Sequence, residues 1–109
     1  MQLLDPSIGT SRNNAKTDES ARFAYFTIDE SGGSPNQGII EQFEPHNLVT
    51  YAENQLILAE AGARTNGLST GLGHLNTLRS WLNGGNGVNA NFQDSSHLYE
   101  AYDLSLIHI

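Results

Sequence analysis

Cysteine is absent from this chain of 109 residues, and basic residues are scarce. Without thiols the chain cannot form a disulfide or offer thiolate ligands to zinc or to an iron–sulfur cluster. Five Lys and Arg residues stand against twelve Asp and Glu residues, so the formal net charge is −7. Nucleic acids and anionic membrane surfaces are poor partners for such a chain, because neutralising phosphates requires clustered Lys and Arg.

Apolar residues are also few, and long apolar runs are missing. The hydrophobic fraction is 38%, whereas globular domains usually contain about 45–50%. No window approaches the roughly 18 consecutive apolar residues of a membrane-spanning helix. This composition predicts at most one small domain with a small hydrophobic core.

The apolar residues that are present concentrate between residues 48 and 82, where they repeat at helical spacing. Every third or fourth position is apolar, which is typical of one face of an amphipathic helix. The first group is Leu48, Ala52, Leu56, Ala59 and Ala63, and the second group is Leu68, Leu72, Leu75, Leu78 and Leu82.

Thr65-Asn66-Gly67 interrupts the pattern between these two groups. Gly67 readily adopts the positive φ that ends a helix, and the Ser69 hydroxyl can cap the next helix. A connection this short makes the two helices antiparallel neighbours. The fold class is therefore predicted as mainly α, an αα-hairpin with helices at about 47–64 and 69–82, the first capped by Asn47.

Outside the hairpin, the pattern predicts long loops and little regular structure. Aromatic and β-branched residues over 22–28 indicate a short strand, and residues 38–43 indicate a second strand that would pair with it. Gly and Asn residues over 83–91 indicate a loop. Asp94 then resembles the cap of a short helix that ends at Tyr102.

Residues 104–109 resemble the in-frame translation of a transposon-end sequencing adapter, so we predict a non-native tail there; the alternative is a genuine amphipathic C-terminus. Residues 1–103 contain little apolar surface for a core. We therefore expect them to be an incomplete part of one larger α-helical domain, partly disordered when expressed alone.

Three segments of the chain, in order, resemble one protein family. Thr50 to Ala61, TYAENQLILAEA, resembles the TYAE-x-x-L-x-x-AEA helix of the SusD/RagB-like proteins. Leu75 to Arg79, LNTLR, resembles the LN-x-[VL]-R step of that family's next helix. Asp18 with Ala21 to Phe26 resembles the family's D-x-R-x-x-Y-[YF] segment, so the resemblance covers roughly residues 18–82.

The resemblance implies a surface lipoprotein of a Gram-negative outer membrane that binds glycans or similar nutrients. Such proteins lie as a lid over a SusC-like TonB-dependent transporter, and their fold is built on tetratricopeptide-like helix pairs with long loops. The implied partners are that transporter and an oligosaccharide, without nucleic acid or cofactor. The family's lipid-bearing Cys and its later helix with an acidic–basic ER motif are not among these residues.

Glu53 and Glu60 lie two turns apart on one face of the first helix, and two carboxylates can act as acid and base in a glycosidase. We favour a structural role, because folding about residues 66–69 would bring Arg79 close to both. Asn76 is assigned a structural role with them. No nucleophile elbow, dinucleotide fingerprint or paired metal-ligand motif is present, so we predict no catalytic residue, no metal site and no enzymatic activity.

Aromatic residues flank the Asn-rich stretch 83–91. Flat apolar rings suit the faces of sugars and amide groups suit their hydroxyls, so Trp81, Asn86 and Tyr99 are the candidate ligand-binding residues. The alternative is that Trp81 packs at the rim of the hairpin and the stretch is only a connection. The alternative function is a helical-repeat module for protein partners, which would contain further helix pairs of about 34 residues.

Overall fold

The computed structural model describes residues 4–7, 16–27 and 36–103, and these residues are mainly helical. The predicted non-native tail at 104–109 lies outside the described residues. The elements, in chain order, are β1 (Thr17–Asp18), α1 (Ser20–Phe26), α2 (Tyr51–Asn66), α3 (Leu68–Asn83), α4 (Ala90–Gln93) and β2 (Leu98–Tyr99).

The predicted αα-hairpin is confirmed, with its ends shifted by a few residues. Helix α2 begins at Tyr51, because the Thr50 hydroxyl accepts a hydrogen bond from the Glu53 amide at 3.1 Å. Thr50, and not Asn47, is therefore the cap. Gly67 alone separates α2 from α3, and its φ of 93° makes the reversal. Gly67 also precedes the first residue of α3, so Ser69 lies inside the helix and is not its cap.

Small residues let α2 and α3 approach closely. A Cβ atom placed on Gly71 would lie 2.6 Å from the Ala59 carbonyl oxygen and 2.7 Å from the Ala63 Cβ atom. Three of the apolar residues that we predicted to lie on the contact faces of the two helices are exposed. Leu48 precedes α2 and is 97% exposed, while Leu56 and Leu68 are about half exposed. At Gly71 the two helices therefore meet through Gly and Ala, which permit a closer approach than larger side chains would.

The predicted strands at 22–28 and 38–43 are wrong. Residues 22–26 belong to α1, and residues 39–43 lie in turns and irregular chain. Aromatic residues are only mildly unfavourable in helices, and helix α1 lets Ala21 and Tyr25, four positions apart, be buried together. Tertiary burial thus outweighs the strand propensity of this segment.

A short antiparallel pair does occur, but it joins β1 to β2, with Thr17 opposite Tyr99 and Asp18 opposite Leu98. The helix predicted from Asp94 to Tyr102 is therefore wrong. Helix α4 instead ends at Gln93, just before Asp94, and its cap is Asn89, whose side chain accepts from the Asn91 amide at 3.2 Å.

One face of α3 satisfies the backbone of residues 98–102. The Asn83 side-chain oxygen accepts from the Tyr99 amide at 3.0 Å, and the Arg79 Nε donates to the Glu100 carbonyl. The Asn76 amide group bonds both the N–H and the carbonyl of Tyr102, at 2.8 and 2.7 Å. Residues three, four and seven apart share a helix face. These three side chains therefore bond backbone groups that a neighbouring strand would bond in a larger sheet.

The predicted pairing of Arg79 with Glu53 or Glu60 is wrong. Arg79 donates to the Lys16 carbonyl at 3.1 Å and to the Thr17 hydroxyl at 2.9 Å. Glu60 pairs instead with Arg64, one turn along α2, at 2.7 Å. The reason is that Arg79 shares the α3 face that contacts β2 and not the face that contacts α2.

Candidate ligand-binding cavity

A cavity of about 450 Å³ lies where α1, the start of α2 and the end of α3 meet. Its wall includes the Tyr51 and Trp81 rings, whose centroids are 5.0 Å apart with an interplanar angle of 43°. Arg22, Glu44 and Asn47 contribute polar side chains to the same wall. We call this the aromatic cavity. Its volume falls within the roughly 300–1,000 Å³ of small-molecule sites in proteins.

The loop after α3 fixes the position of Trp81. The Asn86 side-chain amide donates to the Trp81 carbonyl at 2.8 Å. Gly87 follows with a φ of 80°, and a Cβ atom there would lie 2.9 Å from the Trp81 ring. Only glycine adopts this conformation readily and leaves room for the ring. The Gly/Asn stretch therefore packs against the indole as an ordered turn.

Arg22 lies in the cavity wall, on α1, and two of its N–H groups are hydrogen-bonded within the protein. Its Nε donates to the Tyr99 hydroxyl at 2.8 Å, and its Nη2 donates to the Asn86 carbonyl at 2.9 Å. The Tyr99 hydroxyl in turn donates to Glu19 at 2.7 Å. Burial, followed by this bond to Glu19, raises the pKa of Tyr99, so the hydroxyl keeps its proton and remains a donor.

Glu44 is held in the opposite part of the wall by two partners. It accepts from the Tyr25 hydroxyl at 2.6 Å and from the Asn89 side chain at 3.0 Å. Burial, followed by the hydrogen bond to Glu44, raises the pKa of Tyr25 to about 12. Both charged side chains of the cavity are thus oriented by the surrounding fold.

The three predicted ligand-binding residues have different roles at the aromatic cavity. Trp81 lines the cavity, whereas Asn86 holds the loop behind it. Tyr99 is buried, only 4% exposed, and positions Arg22. Tyr99 is therefore a supporting residue and not a wall residue of this cavity.

Sequence reasoning missed most of the wall residues, among them Arg22, Glu44, Asn47, Tyr51 and Gly87. Tyr51 stands in the TYAE motif and Gly87 in the Gly/Asn stretch, so both had a local signal. Arg22 and Glu44 had none, because their partners lie 19 to 77 positions away in the sequence.

The predicted structural residues lie elsewhere. Asn76 and Arg79 hold residues 98–102 against α3. Glu53 is exposed in the first turn of α2, and Glu60 is exposed beside Arg64. None of these four residues lines the aromatic cavity.

The cavity presents ring faces, the Asn47 side-chain amide and the opposite charges of Arg22 and Glu44. Within residues 4–7, 16–27 and 36–103, no three His, Asp or Glu side chains converge as metal ligands. None of the helices in the described part of the chain is both long enough and apolar enough to cross a membrane.

Comparisons of the chain with protein-family models, with curated proteins and with solved structures give no match.

Proposed function

We propose that the chain binds a neutral oligosaccharide in the aromatic cavity, as the nutrient-capturing part of a SusD/RagB-like surface lipoprotein. The observation that carries this proposal is the pair of rings, Tyr51 and Trp81, set beside hydrogen-bonding side chains in one cavity. Sugars present apolar C–H faces and a rim of hydroxyl groups, so a ring wall with polar groups at its edge suits them.

The charges in the wall support a neutral ligand. Arg22 and Glu44 have opposite charges, and each already has partners within the protein, Tyr99 and Asn86 for Arg22 and Tyr25 for Glu44. A charged ligand would have to compete with these bonds, whereas a hydroxyl group can add to them. Groups held in place in this way lose little entropy when a ligand binds.

The cellular part of the proposal depends on the resemblance over roughly residues 18–82. In this role the protein is exposed on the outer membrane, transfers its ligand to a SusC-like TonB-dependent transporter and catalyses no reaction.

The single tryptophan of the chain provides the test, because Trp81 lies in the cavity wall. The full chain is titrated with maltohexaose, cellohexaose, xylohexaose and mannohexaose while the tryptophan emission is recorded. We expect at least one sugar to shift the emission saturably. Tyr51→Ala, which retains the fluorophore, should weaken that binding about tenfold, because one aromatic contact contributes on the order of 1.4 kcal/mol.

Phe43→Ala is the matched control, since it removes an aromatic ring that is 84% exposed and does not line the cavity. It should bind the sugar as the unchanged protein does. Calorimetry on Trp81→Ala should show no measurable heat of binding. Equal affinity in the Tyr51→Ala and Phe43→Ala variants would contradict the assignment of the cavity.

A helical-repeat module for protein partners is the second candidate, favoured by the apolar residues that α2 exposes. Leu56 and Ile57 are 52% and 59% exposed, although both lie in the middle of the helix. Stacked helix pairs would cover such residues. A protein of this class would bind no sugar in the titration above.

A further inference from the structure

The segment before α2 exposes an unusual number of large apolar side chains. Ile40, Phe43, Leu48 and Val49 are 48%, 84%, 97% and 73% exposed. Soluble proteins rarely expose apolar residues in groups, and a group of this kind marks an interaction site. Together with Glu41, Glu44 and Glu53, these residues form what we call the acidic apolar surface.

This surface is held in place by bonds on its inner side. The Ile39 amide donates to the Tyr25 carbonyl at 3.0 Å, and the Asn89 side chain donates to the Gln37 carbonyl at 2.7 Å. The Tyr25 hydroxyl donates a hydrogen bond to Glu44. The inner groups are thus satisfied by α1 and by the cap of α4, while the apolar side chains extend outward.

The charged residues of the surface are all glutamates; Arg22, which lines the aromatic cavity beside Glu44, donates to Tyr99 and Asn86. The sequence contains no Lys or Arg from Phe23 to Ala63, and the three glutamates of the surface lie within that stretch. Apolar side chains interspersed with carboxylates fit an amphipathic segment that carries an apolar face and basic residues at its edge.

We propose that the acidic apolar surface docks a cationic amphipathic segment of a partner protein. A second copy of this chain is a poorer occupant, because a symmetric contact would set the same carboxylates against one another. Anionic membranes are disfavoured for the same electrostatic reason. The chain's own residues 104–109 are largely apolar but contain no Lys or Arg, so they would leave the carboxylates unmatched. This docking surface adjoins the aromatic cavity and shares Glu44 and Val49 with its wall, but Phe43, Leu48 and Glu53 do not line the cavity, so peptide docking can be tested without a sugar.

The probe is a fluorescently labelled, amidated helical peptide of Leu and Lys, about 14 residues long, with its leucines at i, i+3, i+4 and i+7 spacing. Its anisotropy is followed as the full chain is added. We expect saturable binding that weakens as salt is raised, because exposed charges are screened. The same peptide with Glu in place of Lys should not bind.

Variants of exposed side chains localise the contact without disturbing the fold. Phe43→Ser and Leu48→Ser should each weaken peptide binding about fivefold or more, as expected for central apolar anchors. Glu53→Gln should weaken it about twofold and flatten the salt dependence. Leu68→Ser is the matched control: Leu68 is about half exposed at the start of α3, outside the acidic apolar surface, and this variant should bind as the unchanged protein does.

Three results would overturn the proposal. Peptide binding that is equal in Phe43→Ser and Leu68→Ser would show that the surface is not the docking site. Self-association in sedimentation experiments that disappears in Phe43→Ser would assign the surface to a second copy. Much tighter peptide binding by a chain ending at Asp103 would show that residues 104–109 already occupy it.

Discussion

At the scale of single residues, buried polar side chains bond backbone groups that no helix or sheet hydrogen bond satisfies. Arg79 is only 7% exposed, yet it bonds the Lys16 carbonyl, the Glu100 carbonyl and the Thr17 hydroxyl. Its guanidinium also lies 3.9 Å from the centroid of the Tyr102 ring. A planar cation with five donors suits three acceptors and a ring at once, which lysine does not.

Arg79→Met is therefore expected to destabilise the protein by about 2–4 kcal/mol, because two part-buried carbonyls and the buried Thr17 hydroxyl lose a charged donor. Arg79→Lys should recover only part of that loss. Urea unfolding followed by circular dichroism gives both values. Binding at the aromatic cavity should be unchanged, since Arg79 does not line it.

Arg64→Met is the matched control for this measurement. Arg64 forms an exposed ion pair with Glu60 within α2, with both side chains more than half exposed. Such surface pairs contribute about 0–1 kcal/mol. A loss as large as that of Arg79→Met would show that burial is not what makes the Arg79 contacts important.

At the scale of elements, the hairpin depends on how closely its two helices approach. Gly62 and Gly71 are the buried positions at the contact, and Gly71 faces Ala59 and Ala63. Glycine lowers the intrinsic stability of a helix by roughly 0.5–1 kcal/mol relative to alanine. The close packing of the backbones offsets that cost at position 71.

Gly71→Ala and Gly73→Ala separate these two effects, since both lie in α3. A Cβ atom at Gly71 would meet Ala59 and Ala63, whereas a Cβ atom at Gly73 would meet nothing within 4 Å. We expect Gly71→Ala to destabilise by about 1–3 kcal/mol through overpacking. Gly73→Ala should stabilise by about 0.5–1 kcal/mol through helix propensity. Thermal unfolding of the two variants measures these changes in stability. Changes of the same sign in Gly71→Ala and Gly73→Ala would contradict the explanation.

At the scale of the whole molecule, polar bonds between distant parts of the sequence hold α1 and β1 against the end of the chain. Tyr99 bonds Glu19 and Arg22 across 80 and 77 positions. The apolar core alone is small: among the described residues, no large side chain is completely buried. The tertiary structure outside the hairpin therefore relies on tyrosine hydroxyl groups that keep their protons and donate to carboxylates.

This dependence predicts a loss of stability in alkaline solution. Burial and a carboxylate partner raise the pKa of Tyr25 from 10.0 to about 12, and the pKa of Tyr99 is raised for the same causes. A raised folded-state pKa means that the contribution is complete below pH 10.0 and is lost as the pH rises towards 12 and beyond. The free energy of unfolding, measured in urea from pH 8 to pH 12, should fall over that interval.

Tyr25→Phe should make this fall shallower, because phenylalanine has no proton to lose. Tyr51→Phe is a suitable control, since Tyr51 is a partly exposed ring at the start of α2. If both variants follow the unchanged protein throughout, the alkaline loss does not arise from Tyr25.

The candidate site could be predicted only in part. Trp81 and Asn86 were identified from composition, because aromatic residues beside an Asn-rich loop form a local pattern. Arg22 and Glu44 could not be identified in this way. Their positions in the wall depend on Tyr99, Asn86, Tyr25 and Asn89, which are distant in sequence and become neighbours only in the folded chain.

The sequence by itself determined the hairpin of α2 and α3, since apolar spacing and Gly67 are local signals that agree with one another, although the structure moved the cap from Asn47 to Thr50. The tertiary structure alone decided that residues 20–26 are a helix and that Leu98–Tyr99 is a strand paired with Thr17–Asp18. Those segments are too short to fix their own conformation. The strand at Leu98–Tyr99 is held by the bonds of Arg79, Asn76 and Asn83 on α3 to residues 99–102. Helix α1 is held by the bonds of Arg22 to Tyr99 and of Tyr25 to Glu44.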